Sequence, residues 1–225
     1  MTIAILSKDG YDLIHPCIES IEKYRGKHEI EIIIGDTGTH DKQVLAFYLE
    51  AARKYKNIRI VRFSEYNYSS NYNSLIRTLG AGEYLVLLNN DTIATPGWLD
   101  ALIEPLEDRR VGIVGAKLLN RDGTIQHAGI EYNDQGNGYH AFRNEPFDLP
   151  GANVASHVPG VTFACVAMRH DVYDRFQLNV DFVEEAQDTD FCLRLQEAGF
   201  IILYEPKAQL FHFEGSSRDW RKGEA

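Results

Sequence analysis

The stretch Gly82-Glu-Tyr-Leu-Val-Leu-Leu-Asn-Asn-Asp91 decides how the rest of the chain is read. Tyr84 to Leu88 is a short continuous apolar run closed by polar turn formers, the pattern of a buried strand that delivers a carboxylate at its end. Working outward from it, Thr2 to Leu6, Glu31 to Ile34 and Ile58 to Phe63 read as strands of the same kind. Between them Ile14, Cys17, Ile18 and Ile21, and then Val44, Phe47, Tyr48 and Ala51, recur at helical spacing, each set giving one apolar stripe to lie on a sheet. Strand, helix and strand in repetition imply an α/β protein with a mainly parallel sheet. Downstream, Val111 to Ala116, Phe163 to Met168 and Phe200 to Tyr204 read as further strands, and Thr189 to Ala198 as a helix closed by Gly199. The intervening 120–158 region is rich in Gly, Asn, Asp and Pro, which suits hairpins and loops forming a lid or acceptor platform. No linker or internal repeat divides the chain, so a single domain over 1–225 is expected.

Composition narrows the partners. A formal charge of -10 over 225 residues argues against nucleic acid, which is bound mainly by clustered Lys and Arg. A negatively charged ligand would then need a metal. No apolar run approaches the roughly 20 residues that span a bilayer, and the N-terminus enters a strand without a basic leader, so a soluble cytoplasmic protein is expected. Cys17, Cys165 and Cys192 are scattered among apolar residues and read as buried free thiols. The abrupt start at the first strand, with no membrane-anchoring tail, is the pattern of a domain belonging to a longer protein.

In an open parallel sheet, ligands bind beyond the carboxyl ends of the strands. There the sequence places Ser7-Lys8-Asp9-Gly10, Asp36-Thr37-Gly38-Thr39 and Asn89-Asn90-Asp91, one hydrogen-bonding and acidic group after another. Each segment alone is an ordinary turn former; their coincidence on one edge reads as a nucleotide site. Asp91 is the natural ligand for a divalent cation, Mg²⁺ or Mn²⁺, that would neutralise a diphosphate, with the preceding Asn residues as neutral ligands or ribose contacts. A second acidic run, Glu184-Glu185-Ala-Gln-Asp188-Thr-Asp190, opens the last helix. Taken alone, that run is better explained by helix capping. A helix N-terminus also fixes a carboxylate as general base, and Asp188 is the choice, with Asp190 supporting. His212 by itself reads as a packing residue, but Arg218 in the flexible basic stretch after it is suited to fold over a diphosphate, and the pairing brings both into the candidate site.

Together with Ile5 to Asp9, Tyr66 to Asn71, Gly112 to Leu118, Ile125-Gln-His-Ala-Gly129 and Glu197 to Gly199, these segments resemble the family 2 inverting glycosyltransferases of GT-A fold, particularly the bacterial subgroup that builds O-antigen, rhamnan and related polysaccharides. The resemblance covers nearly the whole chain. It implies a nucleotide-binding half over 1–91 and an acceptor-binding and catalytic half over 92–225. It further implies that Asp36 binds the base, that Ser7, Asp9 and Asn90 line the nucleotide pocket, and that Asp91 ends a DxD-like motif and shares the metal with His212. Asp188 falls where the family has its catalytic base, with Gln187 before it where Glu is frequent, so the like-charge push on the base is absent. The donor implied is a UDP-, dTDP- or GDP-linked sugar. The acceptor is a glycan or lipid-linked glycan, met in the cytoplasm or by peripheral association at the inner membrane face. His127 belongs to a recurrent Gln-His pair with no role assigned.

Two other functions fit parts of the pattern. A non-catalytic GT-A-like module of a larger assembly protein would account for the single carboxylate in Asn89-Asn90-Asp91. A sugar nucleotidyltransferase would share the sheet and the metal, but Ser7-Lys8-Asp9-Gly10 is too short and too acidic for its triphosphate loop, and the Gly-x-Gly-x-x-Gly turn of a dehydrogenase is absent.

Overall fold

The chain runs β1 Thr2–Ser7, α1 Tyr11–Tyr24, β2 Glu31–Asp36, α2 Lys42–Lys54, β3 Ile58–Arg62, α3 Tyr68–Leu79, β4 Tyr84–Asn89, β5 Thr92–Ala94, α4 Trp98–Ile103, β6 Val111–Leu119, β7 Ile125–His127, β8 Ile130–Tyr132, β9 Gly138–His140, β10 Ser156–His157, β11 Cys165–Arg169, α5 His170–Phe176, α6 Gln187–Glu197 and β12 Ile201–His212. The structure is a computed structural model that describes residues 1–183 and 185–213. The strands assemble in the order β10-β12-β6-β11-β4-β1-β2-β3. As the strand and helix repeat requires, β3, β2, β1 and β4 are mutually parallel. Strand β11 runs antiparallel to both β4 and β6, and β12 runs parallel to β6. Because β4 and β6 both oppose β11, they point the same way, and β12 points with them. The carboxyl ends of β1, β2, β4, β6 and β12 therefore share one edge of the sheet.

Side-chain alternation along the buried strands builds three layers. Ile3, Ile5, Ile32, Ile34, Val86 and Leu88 pack on one face with Ile14 and Ile18 of α1, Val44 and Phe47 of α2 and Trp98 of α4. Their neighbours Ala4, Ile33, Leu85 and Leu87 face the other way, onto Tyr72 and Leu75 of α3, Tyr173 of α5 and Phe191 of α6. The 120–158 region carries β7, the β8–β9 hairpin and a short 3₁₀ turn over a small third core of Leu119, Ile125, Ala128, Ala152 and Tyr204. Buried Lys117 of β6 pins this region, its Nζ donating to the Phe147 carbonyl and to Asn153 Oδ1 at 2.9 Å.

Strand β5 and helices α4 and α5 add to the elements read from the sequence, and two further differences bear on the site. Helix α3 was not anticipated, and β12 does not stop at Tyr204 but continues through a register shift between Glu205 and Gln209 to His212. Pro206 sits in that irregularity, where a missing N–H does least harm. Among the described residues no helix is long and apolar enough to cross a membrane.

Candidate active site

The first three strand ends form a hydrogen-bonded floor. Ser7 closes β1 and its Oγ accepts from Asn90 Nδ2 at 3.1 Å. Asp36 is buried; its Oδ1 accepts from the N–H groups of Gly38 and Thr39 at 3.2 and 2.8 Å, and its Oδ2 lies 3.6 Å from Arg62 Nε. The turn-forming role of Asp-Thr-Gly thus coexists with its place on the ligand edge. Asp9 has a left-handed φ of 51°, and its Oδ1 accepts from His40 N and Asp41 N at 2.8 and 2.7 Å while its own N–H donates to Thr39 Oγ1. That carboxylate ties the loop after β1 to the loop after β2. The Tyr48 hydroxyl packs against Ser7 and Thr39, where burial pushes it up to about 12.

Asp91 and His212 are brought together by backbone pairing. Strand β5 starts directly after Asp91 and runs antiparallel to β12 with Thr92 opposite His212, and Phe213 N donates to Asp91 O at 2.9 Å. The result sets His212 Nε2 at 3.2 Å from Asp91 Oδ1, with both residues buried. Asp91 Oδ1 has no hydrogen-bond partner among the described residues. On the other side of the ring, Nδ1 donates to Gln126 Oε1 at 2.5 Å, and Asn89 Nδ2 approaches Nε2 at 3.3 Å. An acceptor-only carboxylate oxygen and an imidazole lone pair facing each other in a buried site are the donor set a divalent cation fits. No group of three or more His, Cys, Asp or Glu gathers around a common point among the described residues, which would supply two such ligands there.

Asp188 lies in the first turn of α6. The helix is entered through Ala186, a non-glycine residue with φ of 68° and no side-chain cap, so Asp188 does not cap it; instead its Oδ1 accepts from Thr189 N at 2.8 Å. Burial raises the Asp188 carboxyl above its ordinary range, against the Thr189 hydrogen bond and the charge of His140. Tyr68 of α3 and Tyr132 of β8 feel the same carboxylate. Residues of the β8–β9 hairpin thus lie within electrostatic reach of Asp188, and the hairpin is tied to β7 through His140, whose Nδ1 is 3.2 Å from His127 Nδ1. The carboxylate of Asp190 turns away into an ion pair with Arg194 at 2.7 Å, and Arg194 in turn holds the Phe176 and Gln177 carbonyls. Asp190 thus anchors α6 to α5. Arg218 lies outside the described residues.

With that geometry in place, comparison with known proteins is direct. The model of glycosyl transferase family 2 matches residues 2–176. This chain belongs to that family. The chain is 28% identical over 230 residues to the uncharacterized protein y4gI of Sinorhizobium fredii (strain NBRC 101917 / NGR234), covering 97% of this chain and 25% of that protein. It is 27% identical over 226 residues to the O-antigen biosynthesis protein RfbC of Myxococcus xanthus, covering 97% of this chain and 18% of RfbC. The chain spans about a quarter or less of the curated relatives it matches. Its fold is that of GT-A glycosyltransferases. The crystal structure of GalNAc-T7 with UDP, GalNAc and Mn²⁺ superposes with a TM-score of 0.78 at 12% identity, covering 94% of this chain and 42% of that one. The mannosyltransferase PcManGT from Pyrobaculum calidifontis, in complex with GDP-Man and Mn²⁺, gives 0.68 at 15% identity, covering 98% and 59%.

Of the residues singled out in sequence, the fold brings Ser7 and Asn90 into hydrogen-bond contact on the edge that also carries Asp36, sets Asp91 against His212, and places Asp188 in the first turn of α6 within electrostatic reach of His140 and Tyr132. Sequence reasoning missed Gln126 and His140 and gives Tyr68, one of a dense set of aromatic residues, no role. Gln126 had a visible signal, its place in the Gln-His pair of β7; the other two are recognised only once the hairpin and α3 are folded against α6.

Proposed function

We propose that this chain transfers a sugar from a nucleotide-diphosphate donor to an acceptor hydroxyl with inversion at the anomeric carbon, in the building of a polysaccharide or glycoconjugate. The observation that carries the reading is the buried Oδ1 of Asp91, without a hydrogen bond among the described residues, facing His212 Nε2 at 3.2 Å at the strand edge. Asp91 and His212 would hold a divalent cation, which when bound would neutralise the departing diphosphate. A mixed oxygen and nitrogen donor set favours Mn²⁺ over Mg²⁺, which prefers oxygen ligands and retained water. Both solved structures above contain Mn²⁺ with a UDP or GDP moiety, which supports this choice.

Asp188 acts as base. It takes the proton of the acceptor hydroxyl as that oxygen bonds to the anomeric carbon, and the diphosphate leaves with the electron pair of the broken bond. Burial suits the carboxylate to this task by raising its basicity. Ser7, Asn90 and Asp36 orient the nucleoside, while Tyr132 and His140 shape the acceptor side. The contribution of Arg218 to holding the diphosphate rests on the sequence alone. The likeness to RfbC, named for O-antigen biosynthesis and covered over 18% of its length, supports an O-antigen type of product; action at the cytoplasmic side of a membrane belongs to the same proposal.

A thermal-shift screen of UDP, GDP and dTDP with and without Mn²⁺ or Mg²⁺ tests the donor half of the reading. A nucleotide at about 100 times its dissociation constant stabilises the fold by roughly 2.7 kcal/mol. Metal-dependent stabilisation by one nucleotide, followed by sugar transfer lost in Asp188→Asn, is the expected result. Binding without turnover in the wild type would instead favour the non-catalytic module.

A further inference from the structure

We propose that Gln126 is a positioning residue of the metal centre, and that a directional hydrogen-bond chain running Asp122, Thr124, Asn120, Gln126 locks His212 in the tautomer whose Nε2, toward Asp91, carries no proton. This rests on the metal reading above and extends it to residues outside the ligand set. The direction of each bond follows from the one before. Asp122 Oδ1 can only accept when ionised, and it receives both the backbone N–H and the hydroxyl of Thr124, at 3.0 and 2.7 Å. With its one proton committed, Thr124 Oγ1 must accept from Asn120 Nδ2, which lies 2.9 Å away. The Asn120 amide is thereby oriented with Oδ1 toward Gln126, whose Nε2 donates to it at 3.2 Å and also donates to the His212 carbonyl at 3.1 Å. Turning the Gln126 amide over would set its oxygen against two acceptors at once, so Oε1 must face the ring, and His212 Nδ1 must carry the proton. Nε2 is left with a lone pair.

Gln126 grips His212 by both its backbone and its ring, and it is itself 3% exposed, so water does not substitute for it. The starting point of the chain lies in the exposed turn between β6 and β7. A merely structural glutamine would not need this polarity.

The test is made on the full chain. Long-range ¹H–¹⁵N spectra of the metal-free wild type read the His212 tautomer without any ligand, and Nδ1–H is expected; a proton found on Nε2 overturns the proposal. Mn²⁺ titrations followed by electron paramagnetic resonance, alone and with UDP, GDP or dTDP, are then compared between wild type and Gln126→Leu. Affinity is expected to fall about 10- to 100-fold, with the ring nitrogens shifting toward a mixture of tautomers. Affinity within about twofold of wild type and an unchanged spectrum overturn the proposal. If Gln126→Leu does not fold, Asn120→Leu breaks the chain one step earlier and is judged on the same two readouts: a tautomer mixture with weakened Mn²⁺ binding supports it, and neither changing overturns it. A wild type that binds no Mn²⁺ under any of these conditions removes the metal reading itself, an outcome separable from the rest because the tautomer is measured without metal.

Discussion

The imidazoles of His127 and His140 meet Nδ1 to Nδ1 at 3.2 Å with their planes crossed at 78°. His127 Nε2 faces the backbone N–H groups of Gly129 and Thr162 at 3.3 and 3.4 Å and so is the acceptor end of the ring. A proton cannot be added at His127 Nε2 without breaking those contacts. Burial accordingly holds His127 well below the usual histidine range.

The sign of the pH dependence follows. His127 is depressed in the fold, so its contribution to stability is present above the unfolded value near about 6.5 and is lost as pH falls toward the folded value. Unfolding free energy is expected to drop between pH 7 and 5 with a slope approaching about 1.4 kcal/mol per pH unit from this residue. Urea melts at a series of pH values measure it, and His127→Gln, whose amide oxygen can replace the acceptor, should flatten the slope. An equally steep slope in the variant would place the effect elsewhere.

Asp188 has the opposite sign. Its carboxyl is raised by burial, so the stability it contributes is complete below the unfolded value near about 3.9 and is lost as pH rises through the folded value. At neutral pH the ionised side chain is therefore a strain on the fold that the base requires. Asp188→Asn should melt at the same temperature or higher while transfer falls by about 10² to 10⁴ fold. A variant that loses stability and activity in parallel would mean that Asp188 is an anchor of α6 rather than the base.

Much of this arrangement is legible in the sequence because it depends on short apolar runs. Strands β1, β2, β4 and β6 and the stripes of α1 and α2 are written in β-branched residues and helical spacing, and the polar residues after each strand fall on the edge where the parallel order puts them. Helix α3 is hidden because Tyr68, Tyr72, Leu75, Ile76 and Leu79 are separated by Ser and Asn, residues that favour turns; Asn67, whose side chain accepts from Ser70 N, is the cap that would have revealed it. His212 looked like a residue beyond a strand because Pro206 breaks the run, yet β12 resumes after the irregularity and delivers it to Asp91. Contacts such as His127 with His140 join segments whose pairing no local pattern encodes.

Asp9 separates a binding role from a scaffolding one. Its Oδ1 satisfies two N–H groups of the next loop, those of His40 and Asp41. Asp9→Ala leaves both to find water and should cost about 1–2 kcal/mol, a fall of roughly 2–8 °C in melting temperature for a chain of this size. Asp9→Asn keeps the acceptor oxygen and should recover most of that loss. If Asn melts like wild type while nucleotide binding collapses, the charge of Asp9 is used by the ligand and not by the loops.

Asp91→Asn distinguishes a metal ligand from a buried ion pair. Were Asp91 and His212 a structural salt bridge, removing one charge would strand the other and destabilise the protein by about 3–5 kcal/mol. A metal centre predicts the reverse in the free protein, because an amide N–H placed opposite His212 Nε2 can donate to the lone pair that the carboxylate could only face. The metal-free variant is therefore expected to melt within a few degrees of wild type or above it. The roughly 2.7 kcal/mol gained from saturating Mn²⁺ and nucleotide should at the same time disappear. Differential scanning calorimetry on both proteins, with EDTA and with Mn²⁺ plus the nucleotide that stabilises the wild type, reads the two quantities in one experiment. Loss of free-protein stability with the ligand increment retained would assign this pair to the fold and not to the chemistry.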